Sequence, residues 1–294
     1  MTTTNLSIRF WGVRGSIASP GERTREVGGN TSCVEIDAGG RTLILDAGTG
    51  IRGLGDALVA RGVREVTLVL SHLHWDHIQG LPFFTPAWLP GARVDIVGAR
   101  NTSSPEVSLR EALALQMQAP HFPVSLDAMG SALGFREVQS GDRVQLEGGV
   151  GLRVQRLDHP GGVLGVRIEY GGRSVVYATD TEHHACPAPA LVDLARDADV
   201  LIYDAMYTDD EYEGRKGPSR VGWGHSTWQA GVAVAEAAGV GRLVLFHHDP
   251  SRSDRDVEAL EHAASAARPG TVAAREGDSL VLPARPAEHR AEAA

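Results

Sequence analysis

A dense run of metal-binding side chains follows directly on one apolar segment of the chain. Residues 64–70, REVTLVL, have the composition of a buried strand, and the chain continues as Ser71-His72-Leu73-His74-Trp75-Asp76-His77. Residues two apart in an extended segment point the same way, so His72 and His74 can present both imidazoles to one point. Asp76 and His77 then lie where the chain turns into a helix. The sequence therefore predicts that this strand ends at a metal site.

The chemistry of these ligands narrows the choice of ion. Imidazole and carboxylate ligands without thiolate are typical of zinc, manganese or iron. A catalytic ion needs three protein ligands and an open position, so four ligands in one cluster, with further histidines elsewhere, indicate two ions. A lone His near a strand end is usually an ordinary polar residue, and His-x-His alone occurs by chance. The complete His-x-His-x-Asp-His pattern after a strand is much rarer.

Composition excludes several classes of protein. The 294 residues are 42% hydrophobic and 22% charged, which is enough to bury a sizeable core. There is no run of about 18 apolar residues to span a membrane, and the N-terminal MTTTNLSIRF lacks the pattern of a secretory signal. The 2 Cys, against 12 His, exclude a disulfide framework and a Cys-rich zinc site. We therefore expect a cytoplasmic protein with no membrane partner, and the net charge of -9 argues against extensive binding to nucleic-acid phosphates.

The order of the predicted elements indicates one α+β domain. Strands are predicted at 6–10, 32–37, 41–46, 64–70, 94–97, 135–138, 142–146, 151–157, 165–170, 174–179, 199–205, 242–247 and 279–283, and helices at 54–62, 105–118, 189–196, 226–239 and 253–267. Strands in blocks with helices between them fit two mixed sheets covered by helices. No linker or repeat divides the chain. We predict a single domain over residues 1–283, with an insertion at about 100–132 and a disordered tail at 284–294.

The HLHWDH segment resembles the signature of the metallo-β-lactamase superfamily. Three more residues lie at predicted strand ends, where that superfamily has its next ligands: His159 in LDHPGG, Asp180 in YATDTEH and His247 in LVLFHHDP. Taken singly, His159 could be a turn residue and Asp180 a helix N-cap. The resemblance implies an αββα sandwich of two mixed sheets flanked by helices. It also implies that one metal is held by His72, His74 and His159, the other by Asp76, His77 and His247, with Asp180 bridging them.

Two further motifs point to a branch of this superfamily. Gly224-His225-Ser226-Thr227, at the start of an Ala-rich helix, resembles the His-Ser-Thr motif of the phosphodiesterases, which include the tRNA 3′-processing endonuclease. This implies that His225 is a general acid or a phosphate contact; the alternative is a loop His that caps structure. Residues 12–16 and 28–33 resemble small bacterial cyclic-nucleotide phosphodiesterases. In that comparison Arg14 is a candidate for the substrate phosphate; the alternative is a solvated surface arginine.

Other residues are candidates for supporting roles. We expect Asp46, at the end of a buried strand, to orient a metal-binding histidine, and Asp204 and His248 to act in the same way. Aromatic residues beside the motifs are candidates for substrate contact, namely Trp75, Trp223 and Tyr207.

The resemblance implies a dinuclear metal-dependent phosphodiesterase. A hydroxide held between two divalent cations would attack phosphorus, and His225 would protonate the leaving oxygen. Asp76 is counted with His225 among the catalytic residues. We expect zinc, with manganese or iron as alternatives, and a small phosphodiester substrate, in the first place a cyclic nucleotide.

The insertion argues against a nucleic-acid polymer as substrate. Its fixed cations are Arg100 and Arg110, whereas a tRNA-binding arm should be more basic. We interpret the insertion as a lid or a dimer contact and expect a homodimer. The alternatives are a ribonuclease acting on RNA 3′ ends and a non-catalytic module that senses a metal or ligand.

Overall fold

Two mixed β-sheets face each other in the computed structural model, which describes residues 5–100, 106–184 and 186–285. Within these ranges each sheet has seven strands. The first sheet contains β1 (Leu6–Gly12), β2 (Cys33–Ala38), β3 (Arg41–Leu45), β4 (Glu65–Leu70), β5 (Arg93–Ala99), β6 (Ala132–Val138) and β14 (Ser279–Leu282). The second contains β7 (Arg143–Gln145), β8 (Gly151–Leu157), β9 (Val163–Tyr170), β10 (Arg173–Ala178), β11 (Val200–Asp204), β12 (Arg242–Phe246) and β13 (Val272–Ala273).

Both sheets combine antiparallel and parallel pairing. The first runs in the order β14-β1-β2-β3-β4-β5-β6, and the second in the order β13-β12-β11-β10-β9-β8-β7. In the first sheet, β3 to β6 pair in parallel and the remaining neighbours are antiparallel. In the second sheet, β10 to β13 pair in parallel. Parallel strands end at the same edge of a sheet, so each sheet carries a set of aligned strand ends.

Helices cover the outer faces of the two sheets. The helices are α1 (Ile51–Ala60), α2 (Trp75–Ile78), α3 (Thr85–Trp88), α4 (Leu109–Leu115), α5 (Pro189–Ala195), α6 (Asp209–Tyr212), α7 (Trp228–Ala237) and α8 (Asp254–Ala267). Helices α1, α3 and α4 contact the first sheet, and α5, α7 and α8 contact the second. The prediction of an αββα sandwich is therefore confirmed. No helix of the described ranges is long and apolar enough to cross a membrane.

The central strands β3 and β4 of the first sheet are largely buried on both faces. On β3, Leu43 and Leu45 pack into the larger core, which both sheets share. Ile44, between them in sequence, packs into a second core with Leu54 of α1 and Leu109 of α4. Because alternate residues face opposite sides of a strand, a strand buried on both faces has an unbroken apolar sequence. This explains the continuous apolar runs in β3 and β4.

The insertion at 100–132 is a crossover built into the core. It connects β5 to the parallel strand β6, and it places Leu109, Leu113, Met117 and Leu126 in the core beneath the first sheet's helices. This packing ties the insertion to the core, and the predictions of a lid and of a dimer contact are both untested. The predicted helix 105–118 is shorter in the structure and begins at Leu109. The residue before it, Ser108, forms a capping box with Glu111, which fixes this start. Residues 101–105 lie outside the described part.

The C-terminal boundary differs from the prediction as well. The backbone N–H of Arg285 donates to the Gly171 carbonyl, and its guanidinium contacts Asp199 at 2.8 Å. The ordered body therefore extends at least to residue 285, two residues beyond the predicted domain end. The rest of the predicted tail, residues 286–294, lies outside the described residues.

Helix α8 offers a test of local stability. The Ser253 side chain accepts a hydrogen bond from the Asp256 N–H, and the Asp256 carboxylate accepts one from Ser253 N–H at 2.8 Å. We expect Ser253→Ala to lower the free energy of unfolding by about 1 kcal/mol, because the helix loses this cap. Chemical denaturation measures the change. Ser265→Ala, the same substitution inside α8, is the control, and an equal loss in the two variants would contradict the capping role.

Candidate metal centre

The predicted ligands meet because the strands that carry them end at one side of the sandwich. His72 follows the last residue of β4 by two positions, and His159 and Asp180 follow β8 and β10 by the same distance. His247 directly follows β12. Strands β10, β11 and β12 are parallel neighbours, so their carboxyl ends lie side by side. Both sheets therefore contribute side chains to one cluster.

Three polar residues that follow strands at this side of the sandwich have unusual backbone conformations. Asp46, Asp180 and His247, which follow β3, β10 and β12, have φ angles of 60°, 50° and 58°. For a residue other than glycine this left-handed conformation costs about 1–2 kcal/mol. Such conformations persist where the surrounding structure imposes them, and they concentrate at functional sites. The backbone therefore turns sharply at three polar residues of the same cluster.

One group of possible metal ligands consists of three histidines. The side-chain nitrogens of His72, His74 and His159 lie within 4.8 Å of one another. His159 Nε2 is 3.0 Å from His74 Nδ1. The other ring nitrogen of His159, Nδ1, lies 2.7 Å from the Gly224 carbonyl and donates to it, which leaves Nε2 free of a proton for a metal.

A second group joins two carboxylates to two histidines. Asp76, His77, Asp180 and His247 offer atoms that also lie within 4.8 Å of one another. Asp180 Oδ1 is 3.1 Å from both His77 Nε2 and His247 Nε2. Its other oxygen, Oδ2, is 3.7 Å from His72 Nε2. The Asp180 carboxylate thus lies between the two groups, with one oxygen toward each.

His225 adjoins both groups. A ring nitrogen of His225 forms one set of three possible ligand atoms with His159 and Asp180, and another with Asp204 and His247. Within each set the atoms lie within 4.8 Å of one another. Its Nδ1 atom is 2.9 Å from Asp204 Oδ2 but 3.9 Å from Asp180 Oδ2. The closer contact pairs His225 with Asp204, as a positioned imidazole beside the ligand groups.

The cluster fits divalent cations in two respects. The Nε2 atom of His72 is buried and has no hydrogen-bonded partner among the described residues. Buried polar atoms are rarely left in this state unless an ion or water satisfies them. In addition, two ligands of a tetrahedral zinc ion at 2.0–2.1 Å are about 3.3–3.4 Å apart. The contacts of Asp76 Oδ2 with His77 Nε2 and His247 Nε2, at 3.2 and 3.3 Å, match that separation.

Electrostatics in the cluster favour ionised carboxylates. Burial raises the pKa of Asp76 and Asp180, but the neighbouring His77 and His247 outweigh it and bring both pKa values below their usual range. Burial lowers the pKa of His77, yet Asp180, Asp76 and Asp46 raise it well above its usual value. Burial lowers the pKa of His72 well below its usual range. The cluster therefore carries concentrated negative charge, which suits it to binding a metal cation.

Asp46 orients one of the ligand histidines. Its Oδ2 atom is 2.7 Å from His77 Nδ1 and accepts the Tyr177 hydroxyl at 2.8 Å. Its Oδ1 atom accepts the Ser71 backbone N–H at 2.7 Å. A carboxylate that accepts the Nδ1–H of a ligand histidine directs Nε2 toward the metal. Asp46 thus lies in the position expected from the sequence.

Arg14 does not lie where the sequence predicted. Its side chain is fully buried, and its guanidinium donates to the carbonyls of Gly28 at 2.8 Å and Arg252 at 2.9 Å. The prediction of a substrate contact is wrong, because full burial keeps the guanidinium away from a substrate in solution, even though its Nη2 atom has no hydrogen-bonded partner among the described residues. The segment instead contributes backbone: Ser16 N–H donates to Asp76 Oδ2 at 2.8 Å. A Cβ atom at Gly15 would lie 2.4 Å from His247 Cε1, so this position requires glycine.

His248 is also misplaced relative to the prediction. Its Nε2 atom donates to the Ala274 carbonyl at 3.0 Å rather than to a ligand residue. Burial, with the nearby charges of Arg14 and Arg252, lowers its pKa to about 3. The prediction that His248 supports a metal ligand is wrong, because its ring packs in a neutral form among basic residues.

A cavity of about 360 Å³ opens beside His225. Tyr207 and Trp223, two of the predicted substrate contacts, line it, and Trp223 is 53% exposed. Trp75 is 75% exposed but is not among the lining residues. Sequence reasoning missed Arg220, which lies on the cavity wall five residues before His225. Its proximity in sequence to the His-Ser-Thr motif was the available signal.

Comparisons with known proteins agree with this geometry. Residues 41–248 match the profile of the Beta-lactamase superfamily domain. A ribonuclease Z of Mycobacterium sp. strain KMS is 30% identical over 244 residues, 79% of this chain and 81% of the relative. A ribonuclease Z of Haloarcula marismortui is 22% identical and covers 92% of this chain and 95% of its own length.

Solved structures share the fold at low sequence identity. YhfI from Bacillus subtilis, a metallo-beta-lactamase fold protein, has a TM-score of 0.71 at 19% identity, covering 95% of this chain and 100% of its own. A diphosphatase of the PhnP family has a TM-score of 0.67 at 18% identity, covering 95% and 97%. The short form of human tRNase Z has a TM-score of 0.65 at 20% identity, covering 94% and 99%. The chain belongs to the beta-lactamase superfamily, and within it is a metal-dependent hydrolase of the metallo-β-lactamase fold.

Proposed function

We propose that the protein is a dinuclear metal-dependent phosphodiesterase. The observation that carries the proposal is the Asp180 carboxylate, which offers one oxygen to each of two ligand groups beside the His225–Asp204 pair. The first group would hold one metal and the second the other, with Asp180 a ligand to both. The nitrogen and oxygen donors favour zinc, with manganese and iron as alternatives. Two such cations, when bound, lower the pKa of water and neutralise phosphate oxygens.

His225 is the residue that we assign to proton transfer. Its Nδ1 atom is engaged by Asp204, which leaves Nε2 as the ring nitrogen able to donate a proton. Burial lowers the pKa of His225, but Asp204 and Asp180 more than offset it and raise the pKa to about 9. A protonated imidazole at neutral pH can donate to the alkoxide that leaves phosphorus. Asp76 takes part as a metal ligand held by the Ser16 N–H.

A small phosphodiester, such as a cyclic nucleotide, suits this site better than an RNA chain. The cavity beside His225 has room for a ligand of nucleotide size, and Asp249 is among its lining residues. The protein carries a net charge of -9, whereas binding to a polyanion needs an extended basic surface. Several apolar side chains in the described part of the insertion pack into the core.

A ribonuclease acting on RNA 3′ ends is the second candidate. It is favoured by the relatives named ribonuclease Z, which align with most of this chain. A non-catalytic module that senses a metal or ligand would not need the buried His225–Asp204 pair, which supplies a proton donor. The homodimer and the cytoplasmic location stay predictions from the sequence.

A substrate panel separates the candidates. We expect zinc-loaded or manganese-loaded protein to hydrolyse cyclic mononucleotides faster than it cleaves a precursor tRNA, because the cavity admits a single nucleotide. Release of product is followed by chromatography for each metal. Asp180→Asn should abolish turnover, and His262→Ala, on the outer part of α8, is the control.

Two results would contradict the proposal. Cleavage of precursor tRNA without hydrolysis of cyclic nucleotides would favour the ribonuclease. Fewer than about one bound metal per chain, with no turnover gained from added metal, would favour the non-catalytic module.

The pairing of His225 with Asp204 predicts a pH effect. Asp204 raises the pKa of His225, so Asp204→Asn should lower it. Because His225 acts in its protonated form, the alkaline limb of the kcat profile should move to lower pH in this variant. Asp210→Asn removes the same charge from an exposed carboxylate that pairs with Arg215 and Lys216, and should leave the limb in place. An unchanged profile in Asp204→Asn would contradict the assignment of His225.

The contact of Asp46 with His77 predicts an effect on metal affinity. Asp46→Asn should weaken metal binding by about 10–100-fold, because the ring of His77 loses its charged acceptor. Competition with a chromogenic chelator measures this affinity. Asp56→Asn, on α1, is the control. In the described ranges, Thr85 is the one residue whose side chain forms a hydrogen bond with the Asp56 carboxylate. Equal affinities in the two variants would exclude an orienting role for Asp46.

A further inference from the structure

The Arg220 guanidinium lies near two aromatic rings on the cavity wall. Its Cζ atom lies 4.4 Å from the centre of the Trp223 ring and 5.7 Å from that of Tyr207. Both rings line the cavity together with Arg220 and His225. Rings over the faces of a guanidinium leave its N–H donors pointing outward in the guanidinium plane. Arg220 therefore places a planar cation beside aromatic rings in the cavity that His225 also lines.

Unlike its basic neighbours, Arg220 has no acidic partner among the residues that the structure describes. Arg215 and Lys216 both pair with Asp210, at 2.8 and 3.0 Å, and Arg252 pairs with Glu211 at 2.5 Å. The Arg220 side chain makes no ion pair or hydrogen bond with any residue in the described ranges, although the protein is acidic overall. Its donors are thus available to a ligand in the cavity.

The loop that carries Arg220 is fixed at several points. The Arg220 N–H donates to the Tyr212 carbonyl at 2.9 Å, and the Trp223 N–H donates to the Arg220 carbonyl at 3.0 Å. The buried Glu182 carboxylate accepts the N–H groups of Gly222 and Gly224 at 2.6 and 2.8 Å. Glu182 lies two residues after Asp180, so the loop is tied to the segment that carries a proposed metal ligand. Arg220 is therefore positioned before a ligand arrives.

We propose that Arg220 and Trp223 form a base-binding subsite that selects a guanine nucleotide. This inference rests on the proposed phosphodiesterase function and names its substrate class. The edge of a guanidinium donates to two adjacent acceptors, and guanine offers O6 and N7 in that arrangement. Adenine has an amino donor in place of O6. The exposed indole of Trp223 provides a surface on which a base can stack.

The composition of the cavity favours a base over a second phosphate. Asp249 lies on the same wall, and its carboxylate would repel an additional phosphate. A carboxylate instead accepts the N–H groups that guanine carries beside O6. The chemistry of the wall, with one cation, one anion and two aromatic rings, therefore matches guanine more closely than any simple anion.

The test compares three substrates of the metal-loaded protein. We measure kcat/KM for cyclic GMP, for cyclic AMP and for methyl 4-nitrophenyl phosphate, which carries no purine base. The wild-type protein should prefer cyclic GMP to cyclic AMP by about ten-fold or more, the discrimination expected of one bidentate Arg–guanine contact. Arg220→Gln should remove this preference, mainly through KM, and should impair hydrolysis of cyclic GMP about ten-fold more than that of the aryl diester. Arg215→Gln, in the same loop, is the control and should leave all three substrates unaffected.

The outcomes distinguish this inference from the proposed function. Equal turnover of cyclic GMP and cyclic AMP, or an equal loss for all three substrates in Arg220→Gln, would overturn the guanine subsite while the phosphodiesterase stands. If none of the three is hydrolysed with any metal, the proposed function fails. Calorimetric binding of GMP and AMP then decides the subsite separately: tighter binding of GMP that Arg220→Gln abolishes would support it, and equal or absent binding would refute it.

Discussion

Four aspartates buried at one end of the sandwich determine most of the surrounding structure. Asp46, Asp76, Asp180 and Asp204 are each at most 7% exposed. Removing a carboxylate from water costs several kcal/mol unless charges or donors compensate it. Each of the four contacts at least one histidine ring, and three of them also accept backbone N–H groups. The histidines, the sharp turns and the nearby loops are arranged around these four charges.

Two glycines allow the loops to approach the ligands. Gly15 packs against His247, and a Cβ at Gly224 would lie 2.4 Å from His159 Nδ1. Gly224 also has a φ of 83°, which other residues rarely adopt. Both lie in motifs that stood out in the sequence. Their physical role is close backbone contact with a ligand histidine, which a motif comparison does not reveal.

The sequence was sufficient where local patterns determine structure. The apolar runs located the strands, and of the two hydroxyl residues at the start of the helix after His225, Ser226 and Thr227, the second is the cap, with its hydroxyl accepting from Ala230 N–H. The His-x-His-x-Asp-His pattern and the strand ends located the ligand groups. The sequence failed where partners are distant: Arg14 is bonded to carbonyls at positions 28, 249 and 252, and no local pattern encodes that burial. Arg220 was missed for a different reason: its side chain is available because no described residue forms an ion pair with it, and a local sequence pattern does not reveal that.

The ligands of each proposed metal come from both sheets. His72 and His74 follow a strand of the first sheet, whereas His159 follows a strand of the second, and the other group is divided in the same way. Tyr177 of β10 also reaches Asp46 after β3 across the shared core. Ions at this site would link the two β-sheets, which share no strand pairing with each other in the described residues. The spacing of the sheets then sets the distance between the ions, and side chains deep in the core, far from any substrate, become determinants of the catalytic geometry.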